Sequence, residues 1–237
     1  TKHRDTAFAV LDGIEPEAQQ VADALVEHLR QRWPDRFGGL MLDASLHPLE
    51  AAGRLVPEDL VLMVERDGRL VFGGGCVCFP NRWDLRSKLG ASMAAVHQPV
   101  AGLNEQLEPS IDRFLDRLRP DKSFWRLGWG LIDLADGYTP TDGTGAPRPT
   151  DPDPSELFVR VERETLRRFP GTGCVLFTIR TYVAPIASVM ADDDSARALA
   201  DAVAAMSHDV RRYKVVNAAV IAPLRSPGGV PGVVRPE

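Results

Sequence analysis

No stretch of the 237 residues approaches the 18 or more consecutive apolar residues that a membrane-crossing helix requires. The opening Thr1-Lys2-His3-Arg4-Asp5 has none of the apolar core of a secretory leader. Cysteine is scarce and odd in number, with Cys76, Cys78 and Cys174 as the whole complement, so a disulfide framework is excluded and a reducing, cytoplasmic setting is expected. Basic charge is not in excess either. With a net charge of -5, the chain lacks the concentrated positive surface that holds nucleic-acid phosphate or an anionic membrane. Four signatures are missing as well: a Gly-x-Gly-x-x-Gly entering a helix, a phosphate-binding loop, His-Glu-x-x-His and Gly-x-Ser-x-Gly. Dinucleotide, nucleoside-triphosphate, zinc-protease and serine-hydrolase chemistry thereby lose their main support. No internal repeat is visible.

What is present is ordinary globular composition, 44% hydrophobic and 26% charged, in a length that suits one large domain. Residues 15 to 32 read as an amphipathic helix, with Val21, Ala24, Leu25, His28 and Leu29 on the inner stripe and Trp33-Pro34 as the stop. The segment to residue 56 reads as an irregular strap. Leu60 to Glu65 and Arg69 to Phe79 form a hairpin around Arg66-Asp67-Gly68, and Gly73-Gly74-Gly75 marks a bulge or a close backbone approach.

Helices are expected over 84 to 97 and from about 104 to 118. Strands follow at 123 to 133, 157 to 164 and 173 to 183, with closing helices around 195 to 206. Residues 135 to 155 are dense in Pro, Gly, Asp and Thr and read as a loop insertion. Residues 223 to 237 have the composition of a flexible tail. Strands that do not alternate strictly with helices predict an α+β domain over residues 1 to 222, its antiparallel sheet covered on one side.

The residues that could carry chemistry are few. Leu85, Leu89, Met93 and His97 recur every four positions, so the last member of an apolar helical stripe is an imidazole. Gln98-Pro99 ends that helix near His97, which places the ring at a helix terminus facing the interior. Such a ring is either a core histidine bonded to a backbone carbonyl or the axial ligand of a metal or haem iron, with Leu85, Leu89 and Met93 as walls. His28, on a stripe with Leu25 and Leu29, is its rival.

Arg180 sits mid-strand among apolar neighbours and needs an anion: Glu162 or Glu164 on a neighbouring strand, a substrate carboxylate or a haem propionate. Arg160, Arg163, Arg167 and Arg168 form a basic run that is either a solvated face or a partner for propionates or an acidic redox protein. Cys76-x-Cys78 is a weak metal signal without a second pair of ligands, and both thiols read more readily as small buried hydrophobes.

Longer segments resemble a known family. They are Phe79-Pro80-Asn81-Arg82-Trp83, Ala95-Val96-His97-Gln98-Pro99-Val100, Trp125-Arg126-Leu127 with Trp129, Arg160 to Arg168, and Leu176-Phe177-Thr178-Ile179-Arg180-Thr181-Tyr182. In this order and spacing, across about residues 10 to 214, they resemble the haem-dependent oxidative N-demethylases, whose founding activity belongs to the haem subunit of dimethylamine monooxygenase-like enzymes. The resemblance implies a PAS-like fold binding a b-type haem. It implies oxidative demethylation of a small secondary or methylated amine with O2, using electrons delivered from NADPH through flavin and iron–sulfur partners.

Carried onto this chain, the resemblance makes His97 the proximal iron ligand. It puts Arg180 and Tyr182 at the haem pocket, by propionate or substrate, and makes Glu162 the carboxylate facing a cationic amine. Met93 and Arg160 join the haem-binding set, the first as wall and the second toward a propionate. Pro57, Gly128 and Gly130 depart from the family pattern, which leaves the substrate less determined than the family. A haem-binding PAS-type sensor without turnover is the alternative function, and a haem-free structural subunit is a third.

Overall fold

The computed structural model describes residues 3–97, 111, 113–140, 153–207 and 210–211. Its first turn, α1 (Arg4–Ala7), leads into a three-residue strand, β1 (Phe8–Val10). Helix α2 (Glu15–Arg32) has the limits the sequence predicts, with Pro16 in its first turn and Glu15 and Glu17 against Arg30 and Arg32 at its two ends. Its buried side is Ala18, Val21, Ala22, Val26 and Leu29. His28 is exposed, its ring edge-on to Trp33, so the inner stripe is rotated from the one expected. Pro34 then opens a short α3 (Pro34–Phe37). Where an irregular strap was expected, Pro48 starts α4 (Pro48–Gly53), which buries Leu49, Glu50, Ala51, Ala52 and Gly53. The Glu50 carboxylate, 2% exposed, is held by Arg4 and Arg54, each at 2.7 Å, and they keep it well below the usual carboxylate range.

The hairpin β2 (Asp59–Arg66) and β3 (Arg69–Cys76) turns on Asp67 and Gly68, both at positive φ. With β4 (Phe124–Ile132), β5 (Phe158–Arg168) and β6 (Val175–Pro185) they build one six-stranded sheet in the order β1-β3-β2-β6-β5-β4, every pair antiparallel. The glycine run has a specific cause. A bulge interrupts the β2 register between Leu62 and Met63, and β3 lies between β1 and β2 where a Cβ on Gly74 would stand 2.8 Å from the Ala9 carbonyl oxygen.

Both faces of this sheet are covered, not one. On the first, Leu60, Leu62 and Val64 pack with α2 and α4. Farther along that face, Leu131 and Val159 pack with α6 (Ile186–Met190) and α7 (Asp193–Ala205). On the second, Val61, Met63, Val175, Phe177 and Leu166 meet Leu85, Leu89, Val96, Leu115 and Leu118. This two-sided burial is why β2 is apolar at consecutive rather than alternate positions.

The helix expected over 84 to 97 is broken. Residues 86–88 form a single 3₁₀ turn, Gly90 takes φ 74°, and α5 spans only Met93–His97. The cause is tertiary. Gly90 donates its N–H to the Phe72 carbonyl and Ala91 accepts from the Phe72 N–H, both at 2.9 Å, so 90–92 runs alongside β3 instead of coiling. Leu85, Leu89 and Met93 nonetheless reach one core cluster. Of the helix expected over 104 to 118, residues 113–116 are helical, and 98–110 lie outside the described residues. Most of the 135 to 155 loop and all of the 223 to 237 tail lie outside them too.

Gly74→Ala is expected to lower stability by about 1–3 kcal/mol, because the atoms in its way are backbone of β1. Urea unfolding measures the loss, and amide exchange at Ala9 to Leu11 should quicken. Gly39→Ala, whose added methyl meets nothing within 4 Å, is expected to stay within about 0.5 kcal/mol.

Candidate functional site

Alternation along β5 projects Arg160, Glu162 and Glu164 onto the second sheet face, the one that carries α5. The register with β6 puts Thr181 opposite Glu162 and Ile179 opposite Glu164. From β2, Asp59 joins the same face opposite Ile179, and from β4 come Arg126, Gly128 and Gly130. Three of the four buried charged residues found among the described residues, Asp59, Arg160 and Glu164, are in this group.

Arg160 is 3% exposed and its donors are placed one by one. Nε donates to Glu162 Oε1 at 2.6 Å, and Nη2 to the Phe79 carbonyl at 2.5 Å and to Thr181 Oγ1 at 3.1 Å. Nη1 has only a long contact, 3.5 Å to the Gly137 carbonyl. The guanidinium therefore ties β5 and β6 to the turn after β3 and to the chain around residue 137. Glu162 keeps its second oxygen outside that pair and is about a quarter exposed.

Asp59 is 1% exposed and accepts from Cys78 N at 2.6 Å and Phe79 N at 3.2 Å. Burial pushes its carboxyl up to about 7, against the pull of those two N–H groups and of Arg160. A carboxyl in this state exchanges a proton near neutrality within the Arg160 cluster. Its signal in the sequence was an acidic side chain directly abutting the apolar run Leu60 to Val64.

The expected site residues divide between the two faces. Arg160, Glu162 and Met93 share the second face with α5. Arg180 and Tyr182 alternate onto the first face, opposite Arg163 and Val161. Arg180 is therefore not the ion-pair partner of Glu162 or Glu164: its guanidinium lies over the Tyr182 ring, 5.4 Å from the centroid, and both side chains are at least partly exposed. Trp125 and Leu127 are exposed on that face beside them. A ligand lying against one face reaches one set of residues and not the other.

His97 closes α5, and the expectation about its ring lies outside the described side chains. Its rivals are weaker on geometry. His28 is exposed, as above. His47 caps α4 with Nδ1 accepting from Leu49 N at 3.2 Å, which leaves the proton on a buried Nε2 and no lone pair for iron. Among the described residues no three His, Cys, Asp or Glu side chains come together as a metal site, and no helix is long and apolar enough to cross a membrane.

Residues 1–220 match the family described as haem-dependent oxidative N-demethylase, alpha subunit-like. The chain belongs to this family. Haem dependence can be tested against the second face of this N-demethylase-like chain. Leu89, Met93 and Val96 provide apolar surface there. Gly128 presents bare backbone, since a Cβ on it would lie 3.3 Å from Glu164 Oε1. Arg168, on the same face, gives Nη1 to the Gly173 carbonyl and Nη2 to the Leu115 carbonyl, both at 2.7 Å, and only its buried Nε has no partner among the described residues. An apolar wall and a strand without side-chain bulk suit the faces of a flat macrocycle.

The raised Asp59 carboxyl gives a pH signature. Its protonated form is favoured by folding, so its contribution is complete below 3.8, the ordinary value, and is lost as pH climbs to about 7. Chemical denaturation is expected to show stability falling over that interval by no more than about 1.4 kcal/mol per pH unit, and Asp59→Asn to flatten this component.

Proposed function

We propose that the chain is the haem-binding component of an oxygenase that oxidatively demethylates a small secondary or methylated amine. The family match over residues 1–220 carries the reading. An antiparallel sheet with helical segments packed on it supports a PAS-like fold for the domain of residues 1 to 222. The residues that would hold the haem, a b-type group without covalent attachment, are His97 as iron ligand with Met93, Leu89 and Val96 as apolar wall. When bound it supplies the O2-dependent oxidation of the N-methyl group.

The chain's own residues do the rest. Glu162, anchored through one oxygen by Arg160, offers the other to a protonated amine and fixes its orientation. Arg160 holds that carboxylate rather than releasing itself to a propionate, because all but Nη1 of its guanidinium is committed to Glu162, Phe79 and Thr181. Arg168 likewise commits both Nη groups, to the Gly173 and Leu115 carbonyls. Asp59 lends a group that takes up or gives a proton near neutral pH at the edge of the cluster. Gly128 and Gly130 keep the face beside Glu162 clear for an amine larger than dimethylamine. Arg180 and Tyr182, on the other face, act outside this pocket, at a surface where a redox partner can dock.

Electrons come from NADPH through flavin and iron–sulfur partners on other chains, a reading supported by the family's description of this component as an alpha subunit. Three free thiols support a cytoplasmic setting.

Hemin titration of the purified chain tests the proposal. A Soret band is expected in the natural chain and is expected to be lost or shifted in His97→Ala. Glu162→Gln should retain haem and weaken amine-induced spectral changes by at least about tenfold, the cost of losing one charged hydrogen bond. A chain that takes up no haem when haem is supplied would sink the reading.

A further inference from the structure

A pair of nucleophilic side chains that this site leaves unused lies at the end of β3. Cys76 is the last residue of β3 and is 7% exposed, its sulfur packed so closely on α4 that a Cβ on Gly53 would stand 2.5 Å away. Val77 continues the extended chain by donating its N–H to the Ala7 carbonyl at 2.7 Å. Cys78 follows, exposed, in the bend that ends the strand. The two thiols lie close enough for each to shift the other's ionisation. Alternate Cα atoms of fully extended chain are about 6.6 Å apart and a bend shortens that span, which falls within the roughly 4.4–6.8 Å that a disulfide bridges. One thiol thus meets solvent while its neighbour waits behind it, the arrangement of an attacking and a resolving cysteine.

We propose that Cys76 and Cys78 form a redox-active dithiol in which Cys78 attacks a hydroperoxide and Cys76 closes the intrachain disulfide. The Cys78 sulfur, as thiolate, attacks one oxygen of hydrogen peroxide. The O–O bond breaks, hydroxide leaves and is protonated to water, and Cys78 becomes a sulfenic acid. The Cys76 sulfur, giving up its proton, then attacks the Cys78 sulfur, the S–O bond breaks and the second water leaves. The two thiols lose two electrons and the peroxide gains them.

The groups around the pair favour this division of labour. The Cys76 thiol beside it lowers Cys78, while that same contact, burial and the negative charges of Cys78, Asp59 and Glu50 raise Cys76. Cys78 is then the more readily ionised of the two thiols. A bridge across a single intervening residue is strained, which makes it labile and reversible. The reaction also reaches the candidate site by bonds already named. The Cys78 and Phe79 N–H groups hold Asp59, and the Phe79 carbonyl holds Arg160, so closing the bridge pulls on the turn that positions Glu162. The proposal needs no haem and stands apart from the demethylase reading.

Peptide mass mapping of the haem-free chain after brief exposure to stoichiometric hydrogen peroxide tests it. The peptide spanning residues 76–78 is expected to lose two hydrogens and to regain them with dithiothreitol. Cys76→Ser should stop at a sulfenic acid on Cys78 that dimedone traps, and Cys78→Ser should leave Cys76 unoxidised. Buried Cys174 is the internal control and should remain unmodified. Iodoacetamide labelling of Cys78 should rise with a midpoint below that of an ordinary thiol in the natural chain and shift upward in Cys76→Ser. Oxidation of the natural chain that ends at sulfenic or sulfinic acid, or no oxidation at Cys78, overturns the proposal.

Discussion

The placement of the Arg160 guanidinium is the constraint on which the second face of the sheet depends. A buried cation is costly unless its donors are met, and here the acceptors come from four separate stretches: Glu162 on its own strand, Thr181 on β6, the Phe79 carbonyl and, more distantly, the Gly137 carbonyl. Two of these are backbone carbonyls of the segments around residues 79 and 137, which also hydrogen-bond to each other between Pro80 and Thr139. The same turn at residue 79 is gripped from the other side by Asp59. Charge burial thus does structural work before any chemistry begins, fixing where the Glu162 carboxylate stands.

The sheet separates two environments by nothing more than odd and even numbering. Along β5, even positions carry the polar cluster and odd positions carry Val159 and Val161 into the core under α6 and α7. Along β6, odd positions face the cluster and even positions carry Arg180 and Tyr182 to an exposed surface shared with Trp125 and Leu127. Gly128 sits across from Glu162 on the cluster side, so the strand with the bulkiest aromatic residues in the sheet is bare opposite that carboxylate.

Much of this was legible in the residues. Helix α2 announces itself through Pro16, an 18-residue amphipathic pattern and Trp33-Pro34, and the hairpin through Asp67-Gly68. The alternation of Arg160, Glu162 and Glu164 against Val159 and Val161 gave β5 its two sides. What failed was whatever depends on a partner distant in sequence. β1 is three residues long and is a strand only because β3 lies beside it. The break at Gly90 follows from hydrogen bonds to Phe72, against a faultless four-residue apolar period. Arg180 was grouped with Glu162 because composition shows a cation and an anion on adjacent strands, while only the register, Arg163 opposite Arg180, shows them on different faces. His28 looked buried because a stripe shifted by one position fits the same helix almost as well.

The strand order has a consequence for how the chain assembles. β2 pairs β3 and β5 pairs β6 across short connections, but β2 meets β6 through pairs such as Val61 with Phe177, with almost half of the chain between them. Closing so large a loop must be accomplished before its contacts repay the lost entropy. The two hairpins can therefore zip independently, and the central seam of the sheet joins last. During synthesis the N-terminal half emerges with the β6-facing edge of β2 open and apolar until the final third of the protein arrives to cover it.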